Sequence, residues 1–398
     1  MTFWKTESLS SLGLVQTGST PKTSIKENFG DAIPFIKPAD FKLDGTICYG
    51  NDGLSSVGLA SSRLVPRDSV LMVCIGATIG KVGYTSIDVT TNQQINSLTP
   101  SDKISAKYCY YFMLQHSFKQ QVVSNAGQAT LPIINKTKWS RLEISYPENI
   151  DAQQKIVTKI DKAFSDIEKA KQNAEQNLKN ARELFDSYLQ NVFRQKGDDW
   201  IDAKLGDLAE FKNGLNFSKS SKGELINVVG VKDFSGNFSV PYTQLDVIRI
   251  DGSLDKAYEL KCGDILTVRS NGNKRLIGRC LLVEESEEKI SYSGFTIRIR
   301  LNGSDVVPKF LMWHLKSPDT HELLIGAGGG ANISNLNQKI LSSLPLSFPD
   351  RPSQEKIVSV IESIRKETMR LESIYKRKVE VLDELKQSIL QKAFSGEL

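Results

Sequence analysis

The chain is short of the residues that usually carry catalysis. It has three histidines (His116, His314, His321) and five cysteines (Cys48, Cys74, Cys109, Cys262, Cys280) in 398 residues. No cysteines form a C-x-x-C pair and no histidines are spaced H-x-x-x-H, so the common zinc spacings are missing and no metal site is expected. An odd number of scattered cysteines fits free thiols in a reducing compartment better than a disulfide framework. No basic-then-apolar leader opens the sequence. The longest apolar run, near Val70 to Ile79, falls far short of the ~20 residues that span a bilayer. A cytoplasmic protein with no membrane segment is therefore expected. Charge excess is also small: 51 basic against 46 acidic residues give +5, which permits a polyanionic partner without establishing one.

Catalytic signatures are missing too. Methyl transfer to adenine would need an Asn/Asp-Pro-Pro-aromatic loop and a glycine-rich cofactor strand, and neither is present. "GATIGKV" (Gly76 to Val82) is one residue short between its glycines for a phosphate loop. It also puts Val82 where a magnesium-binding Ser or Thr belongs, so a strand-turn-strand is expected. "GAGGGAN" (Gly326 to Asn332) follows a helix-like stretch instead of a strand, which reads as a turn and not a dinucleotide fold. No Ser/His/Asp set or D-x(n)-E-x-K nuclease pattern stands out. His116 and His314 lie in segments of helical character, as partly buried polar residues. No catalytic residue and no cofactor site is expected in this chain.

What the chain does contain is one unit written twice. Trp4, Leu9, Leu12 and Gly18 return as Trp200, Leu205, Leu208 and Gly214. "IPFIKPADF" (Ile33 to Phe41) returns loosely as "INVVGVKDF" (Ile226 to Phe234), and "LEISYP" ending at Pro147 as "LPLSFP" ending at Pro349. "QQKIV" from Gln153 returns as "QEKIV" from Gln354, and "SYLQNVF" from Ser187 as "SILQKAF" from Ser388. The order is kept throughout, which is the signature of a tandem duplication.

Each copy opens with a stretch rich in Gly, Pro, Ser and short β-branched runs. "SVLMVCIG" (Ser69 to Gly76) and "FTIRIRL" (Phe295 to Leu301) predict strands, and Lys107 to Val122 predicts a helix. Each copy then closes with some 45 residues free of Gly and Pro, apart from Pro352 near one start and a terminal Gly197 or Gly396. Asp151 and Gln154 have capping-box spacing. Apolar positions step by four and three. In the first helix they are Ile156, Ile160, Ala163, Ile167, Ala170, Ala174, Asn177, Ala181, Leu184 and Tyr188. In the second they are Ile357, Ile361, Ile364, Thr368, Leu371, Tyr375, Lys378, Leu382, Leu385 and Ile389. Such a stripe is too long for a small globule to cover, and an alanine-rich seam suits a partner with larger residues. The expected fold is α+β: a duplicated mixed α/β domain plus a long helix, the two helices pairing as an antiparallel coiled coil. The expected boundaries are 1–148, 149–197, 198–349 and 350–398.

This plan, with the ending "LKQSILQKAFSGEL" (Leu385 to Leu398), resembles the specificity subunits of type I restriction-modification systems. The helix entries "PENIDAQQKIV" and "PDRPSQEKIV", the two Trp-to-Gly openings, "IGKVG" (Ile79 to Gly83) and "TNQQIN" (Thr91 to Asn96) are similar to that family's features. The resemblance covers the whole chain. It implies two target-recognition domains, set head-to-tail about a pseudo-two-fold axis, that read a bipartite asymmetric site in double-stranded DNA. It further implies docking of two methyltransferase subunits and of restriction (translocase) subunits. S-adenosylmethionine and ATP-Mg would belong to those partners.

Candidate DNA contacts follow from side-chain chemistry. In "VRSNGNKRLIGR" (Val268 to Arg279), Arg269, Asn271, Asn273, Lys274, Arg275 and Arg279 surround a glycine turn. Arg suits guanine, Asn suits adenine and Lys suits phosphate, while a solvated hairpin tip is the competing reading. The aligned stretch of the first domain offers Lys81. Asn92, Gln93 and Gln94 could contact bases or simply cap a turn, and Lys22 and Lys37 are candidates for phosphate. The rival reading from another class is a coiled-coil adaptor that assembles partners without reading DNA. A fragment of a single-chain restriction-methyltransferase is a second rival, weakened by the missing catalytic motifs.

Overall fold

Short strands separated by turns, then one uninterrupted helix, occur twice in the computed structural model of the protein, which describes residues 3–42, 45–127, 131–218, 220–327 and 336–397. The chain forms two compact units. Unit 1 is 1–175 with 376–398, and unit 2 is 176–375. Each unit therefore takes the beginning of one long helix and the end of the other.

In unit 1 the antiparallel strands Gly13–Thr17, Ile95–Pro100, Ser69–Val73 and Val82–Thr85 lie side by side in that order. Unit 2 repeats the sheet with Ala209–Asn213, Thr296–Leu301, Ile265–Val268 and Cys280–Leu282. A second sheet in each unit contains a parallel pair, Phe29–Ile36 with Val89–Thr91 and Leu225–Val229 with Ile290–Tyr292. The opening strand of each copy pairs antiparallel with its closing strand, Trp4–Ser8 with Glu143–Pro147 and Ile201–Lys204 with Pro345–Phe348. All five residues of Ser69–Val73 are buried, which explains why this strand reads as a continuous apolar run instead of an alternating one. The repeated glycines have a steric reason. A Cβ on Gly18 would lie 2.2 Å from the Asn92 carbonyl oxygen, and one on Gly214 would lie 2.3 Å from that of Ser293.

The helix expected over 107–122 is broken. Ala106–Met113 and His116–Asn125 are separate, as are Pro308–Lys316 and Pro318–Ala327 in unit 2. Pro318 accounts for the second break, since it disfavours helical backbone at the residue before it. In unit 1 the same bend is made by Gln115 in extended conformation.

Helix α1 spans Ile150–Arg194 and helix α2 spans Arg351–Ser395. The cap of α1 is two residues earlier than Asp151 and Gln154 suggest. Asn149 Oδ1 accepts from the Asp151 and Ala152 amides, and Asp350 does the same for Ser353 at α2. Within unit 1, Glu168 meets Lys386 at 3.1 Å and Lys171 meets Asp383 at 2.9 Å, so the helices run antiparallel. Within unit 2, Arg182 and Glu372, 3.1 Å apart, continue the same sense.

The seam departs from the expected pattern at five of its twenty positions, Asn177, Leu184, Leu371, Lys378 and Leu385, which are exposed. Ile160, Ile167, Ala174 and Ala181 are buried as expected, and Ile361 likewise. At the five exposed positions the inward place is shifted by one residue. Leu184 is 71% exposed while Phe185 packs into the core, and Leu371 and Leu385 are exposed while Glu372 and Lys386 turn inward. At Leu371 and Leu385 the cause is that long charged side chains occupy the seam, while Leu178, Phe185 and Val379 take the inward place at the others. Lys171, Glu372 and Lys386 lay their stems against the partner helix and carry their charges to ion pairs across it. A pattern matched on apolar residues alone slides toward the leucines.

Each globule closes over helix ends. In unit 1, Val157 and Ile160 of α1 and Leu390 and Ala393 of α2 join one core with Tyr108, and Phe394 packs edge-on to the Tyr108 ring at 5.1 Å. In unit 2, Leu189 of α1 and Val358 and Ile361 of α2 do the same, with Phe193 edge-on to Phe310 at 5.4 Å.

Candidate nucleic-acid interface

The strands Ile265–Val268 and Cys280–Leu282 of unit 2 are joined by a loop that leaves the sheet at Arg269 and returns at Arg279. Its root is closed by two backbone bonds, Val268 N to Arg279 O (2.9 Å) and Gly278 N to Val268 O (3.0 Å). Gly278 has φ +75, and a Cβ there would press on Leu324 at 3.1 Å, so glycine is needed. Asn271 Oδ1 accepts from the Asn273 amide at 2.8 Å, and Asn273 Oδ1 from the Arg275 amide at 3.1 Å. These Asx turns set up the single helical turn Lys274–Leu276. Ile277 is fully buried and anchors the loop, while Asn273, Lys274 and Arg275 are exposed. Neither Lys274 nor Arg275 makes an ion pair among the described residues. Arg279 donates from Nε to the Arg275 carbonyl at 3.2 Å, which ties the returning strand to the turn. The Arg269 backbone is bonded on both sides, to Phe295 O and from Leu336 N. The loop thus presents two free cations and an amide on a braced turn, which is chemistry suited to base edges and phosphates.

Unit 1 closes the matching loop in the same way, Val73 N to Lys81 O (2.9 Å) and Gly80 N to Val73 O (2.8 Å), but with fewer residues. This is the "GATIGKV" segment, and the strand Val82–Thr85 follows it. Lys81 Nζ donates to the Phe41 carbonyl at 3.1 Å. Asn92, Gln93 and Gln94 form one turn. Asn92 Nδ2 donates to Gln94 Oε1 at 2.9 Å, Asn92 Oδ1 accepts from the Gln94 amide at 3.1 Å, and Thr20 Oγ1 donates to Gln93 Oε1. Lys37 is engaged elsewhere, 2.8 Å from Asp52 and above the Phe35 ring. Lys22 is exposed. The structure therefore gathers the six second-domain candidates into one loop and the three amides of the first domain into one turn. It sends Lys37 and Lys81 into local contacts.

Burial pushes the His314 imidazole down to about 4 and the Cys74 and Cys280 thiols up to about 12 and about 11. Among the described residues no three His, Cys, Asp or Glu side chains form a group able to hold a metal ion.

Sequence reasoning missed a second set of cations in unit 2. Lys316 and Arg365 share the Phe238 ring, at 5.4 and 4.9 Å from its centroid, and line a cavity of about 330 Å3 with Arg279, Trp313 and His321. Aligning the two halves would have exposed them, since Leu114 and Phe164 occupy the corresponding places in the first copy.

Two copies of a small-sheet globule, each carrying a loop braced by the same two backbone bonds and closed by the ends of long paired helices, define a tandem binding protein on a helical scaffold. Residues 1–176 and 197–381 match the family described as the type I restriction modification DNA specificity domain, and the chain belongs to that family. It is 37% identical over 169 residues to the type I restriction enzyme HindI specificity subunit of Haemophilus influenzae, a match covering 41% of this chain and 36% of that one. It is 24% identical over 422 residues to the StySPI specificity subunit of Salmonella potsdam, covering 99% of this chain and 89% of that one. Its fold matches a chain from a structure of the type I R-M system with a TM-score of 0.81 at 14% identity, covering 99% of this chain and 98% of that one.

Proposed function

We propose that this chain is the DNA-reading, non-catalytic specificity subunit of a type I restriction-modification assembly working in the cytoplasm. Its recognition domains, residues 1–148 and 198–349, each read one half of a bipartite asymmetric site in double-stranded DNA. The observation that carries this reading is the braced Arg269–Arg279 loop, with Lys274 and Arg275 exposed and without an ion pair among the described residues. Methyltransferase subunits, two in number, and restriction (translocase) subunits take their direction from it, and S-adenosylmethionine and ATP-Mg are held by those partners. Exposed Leu184, Leu371 and Ile374 on the unit 2 helices, and Val381 and Leu385 on the unit 1 helices, offer apolar surface to partner helices.

The test is a mobility shift on random duplex pools, with and without methyltransferase subunits, using the natural chain and Arg275→Ala. One bipartite sequence should be enriched. If Arg275 reads a guanine, the variant should lose about 1–3 kcal/mol of discrimination at one position. If it touches phosphate, affinity should fall across all sequences and the salt slope should shrink by about one. Failure to retain DNA in either setting favours the adaptor reading.

A further inference from the structure

The cavity in unit 2 holds more positive charge than its surroundings neutralise. Lys316, Arg365 and Arg279 line it, and none of the three has a carboxylate within 4.0 Å among the described residues. Lys316 and Arg365 lie over the same Phe238 ring, and Arg365 also stacks over Trp313 at 5.4 Å. A shared aromatic face attracts each cation but does nothing for the repulsion between them. The nearby acids on α2 are already engaged, Glu362 with Lys309 at 2.8 Å and Glu372 with Arg182 at 3.1 Å. One carboxylate, Asp186, also lines the cavity, but it forms no ion pair with any of the three cations.

Two neutral groups in the wall point the same way. Trp313 is 1% exposed and its Nε1–H has no hydrogen-bond partner; His321 Nε2 is likewise buried without one. A buried donor left unmade costs about 1–3 kcal/mol, so the Trp313 indole N–H, beside cations without an ion pair among the described residues, gives this wall a donor to offer an anion. Burial also drives the Lys316 ammonium down to about 8 and lowers His321, penalties that an anion would reverse.

Unit 1 supplies an internal comparison. Its corresponding cavity is lined by Phe164 and Leu114 in place of Arg365 and Lys316. Of its four lysines, Lys171 and Lys386 pair with Asp383 and Glu168 at 2.9 and 3.1 Å, Lys81 donates to the Phe41 carbonyl, and Lys42 makes no ion pair among the described residues. The second copy differs in where its cations stand, at the two places that Leu114 and Phe164 occupy in the first.

We propose that this cavity binds a phosphate-type oxyanion, gripped by Lys316, Arg365 and Arg279, with the Trp313 indole N–H as neutral donor and His321 in the adjoining wall. The anion is either a backbone phosphate of DNA, reaching the root of the Arg269–Arg279 loop, or the phosphate of a free small molecule. The first source rests on the DNA-reading function; the anion site itself does not.

Inorganic phosphate and pyrophosphate, titrated into the full chain in a phosphate-free buffer, test it by calorimetry and by melting temperature. One saturable site and a rise in melting temperature are expected. Affinity should fall at least tenfold in Lys316→Leu and in Arg365→Gln, and should be unchanged in the unit 1 variant Lys386→Gln. Lys316→Leu removes an unpaired buried charge and should melt no lower than the natural chain, which separates loss of the site from loss of the fold. A duplex that competes with phosphate, and binds Lys316→Leu with a salt slope smaller by about one, identifies the backbone phosphate as the source. Independent binding of duplex and phosphate identifies the free one. A chain that binds no DNA leaves the phosphate titration to decide alone. Absence of saturable phosphate binding, together with unchanged duplex affinity in Lys316→Leu, overturns the proposal.

Discussion

Gln153 and Gln354 perform one task in the two copies. Gln153 Oε1 accepts from the Ser105 amide at 2.8 Å, and its Nε2 donates to the Lys103 and Pro147 carbonyls at 3.1 and 2.9 Å. Gln354 does the same with Val307 N, Asp305 O and Pro349 O at 2.8, 2.7 and 2.9 Å. Each glutamine is fully buried in the first turn of a long helix and satisfies the amide that opens the central helix of its globule. Removing the side chain strands a buried donor and two acceptors. Gln153→Ala should therefore destabilise the protein by about 2–4 kcal/mol, measured by urea unfolding, whereas the exposed neighbour in Gln154→Ala should change it by no more than about 0.5 kcal/mol. The repeat "QQKIV" and "QEKIV" marks the place in the sequence. The repeat keeps the first glutamine and changes the second to Glu355, but what Gln153 binds is invisible there, because two of its partners lie some fifty residues away. The candidate DNA contacts show the same limit. Their residue types were legible, but that Lys37 would be engaged by Asp52 and Lys81 by the Phe41 carbonyl depended on distant chain.

At the level of elements the helices were the most legible part, since 45 residues without an internal glycine in each repeat leave little alternative. Their contact face was legible only in part. Ile160, Ile167, Ala174 and Ala181 announce one row of the seam, but the other row shifts at five positions to Leu178, Phe185, Val379 and two charged residues whose stems, not their charges, are buried. This shift has a measurable consequence. Phe185 stacks edge-on to the buried Trp313 at 5.7 Å, so Phe185→Ala should cost about 2–4 kcal/mol in the isolated chain. Leu184→Ala, with 71% of the residue exposed, should cost less than about 1 kcal/mol. Equal losses, followed by chemical unfolding, would restore the leucine seam. Sheet order was not legible, because pairing the strand Ser69–Val73 with Ile95–Pro100 in preference to its other neighbours is decided by packing over the core and not by any local signal.

At the scale of the molecule, the duplication turns one binding plan into two without requiring that both read alike. The loops confirm how far the copies have drifted, ten residues of polar turn in one and a short glycine turn in the other on the same two backbone bonds. If the domains read half-sites and the helices set the distance between them, length and rotation must be satisfied together. A helix advances about 1.5 Å per residue, so one heptad inserted into both helices adds about 10 Å, close to three base pairs, and carries the groove about a third of a turn out of phase. Three heptads add about 30 Å, which nearly matches the 34–36 Å of one full DNA turn. The three-heptad insertion should therefore direct methylation to the same two half-sites with a spacer longer by about 9–10 base pairs. The one-heptad insertion should weaken binding at any spacer. Sequencing the methylated sites in cells that express each variant with its methyltransferase reads both outcomes. Unchanged spacing after the three-heptad insertion would show that the helices do not set the distance, whatever else they hold.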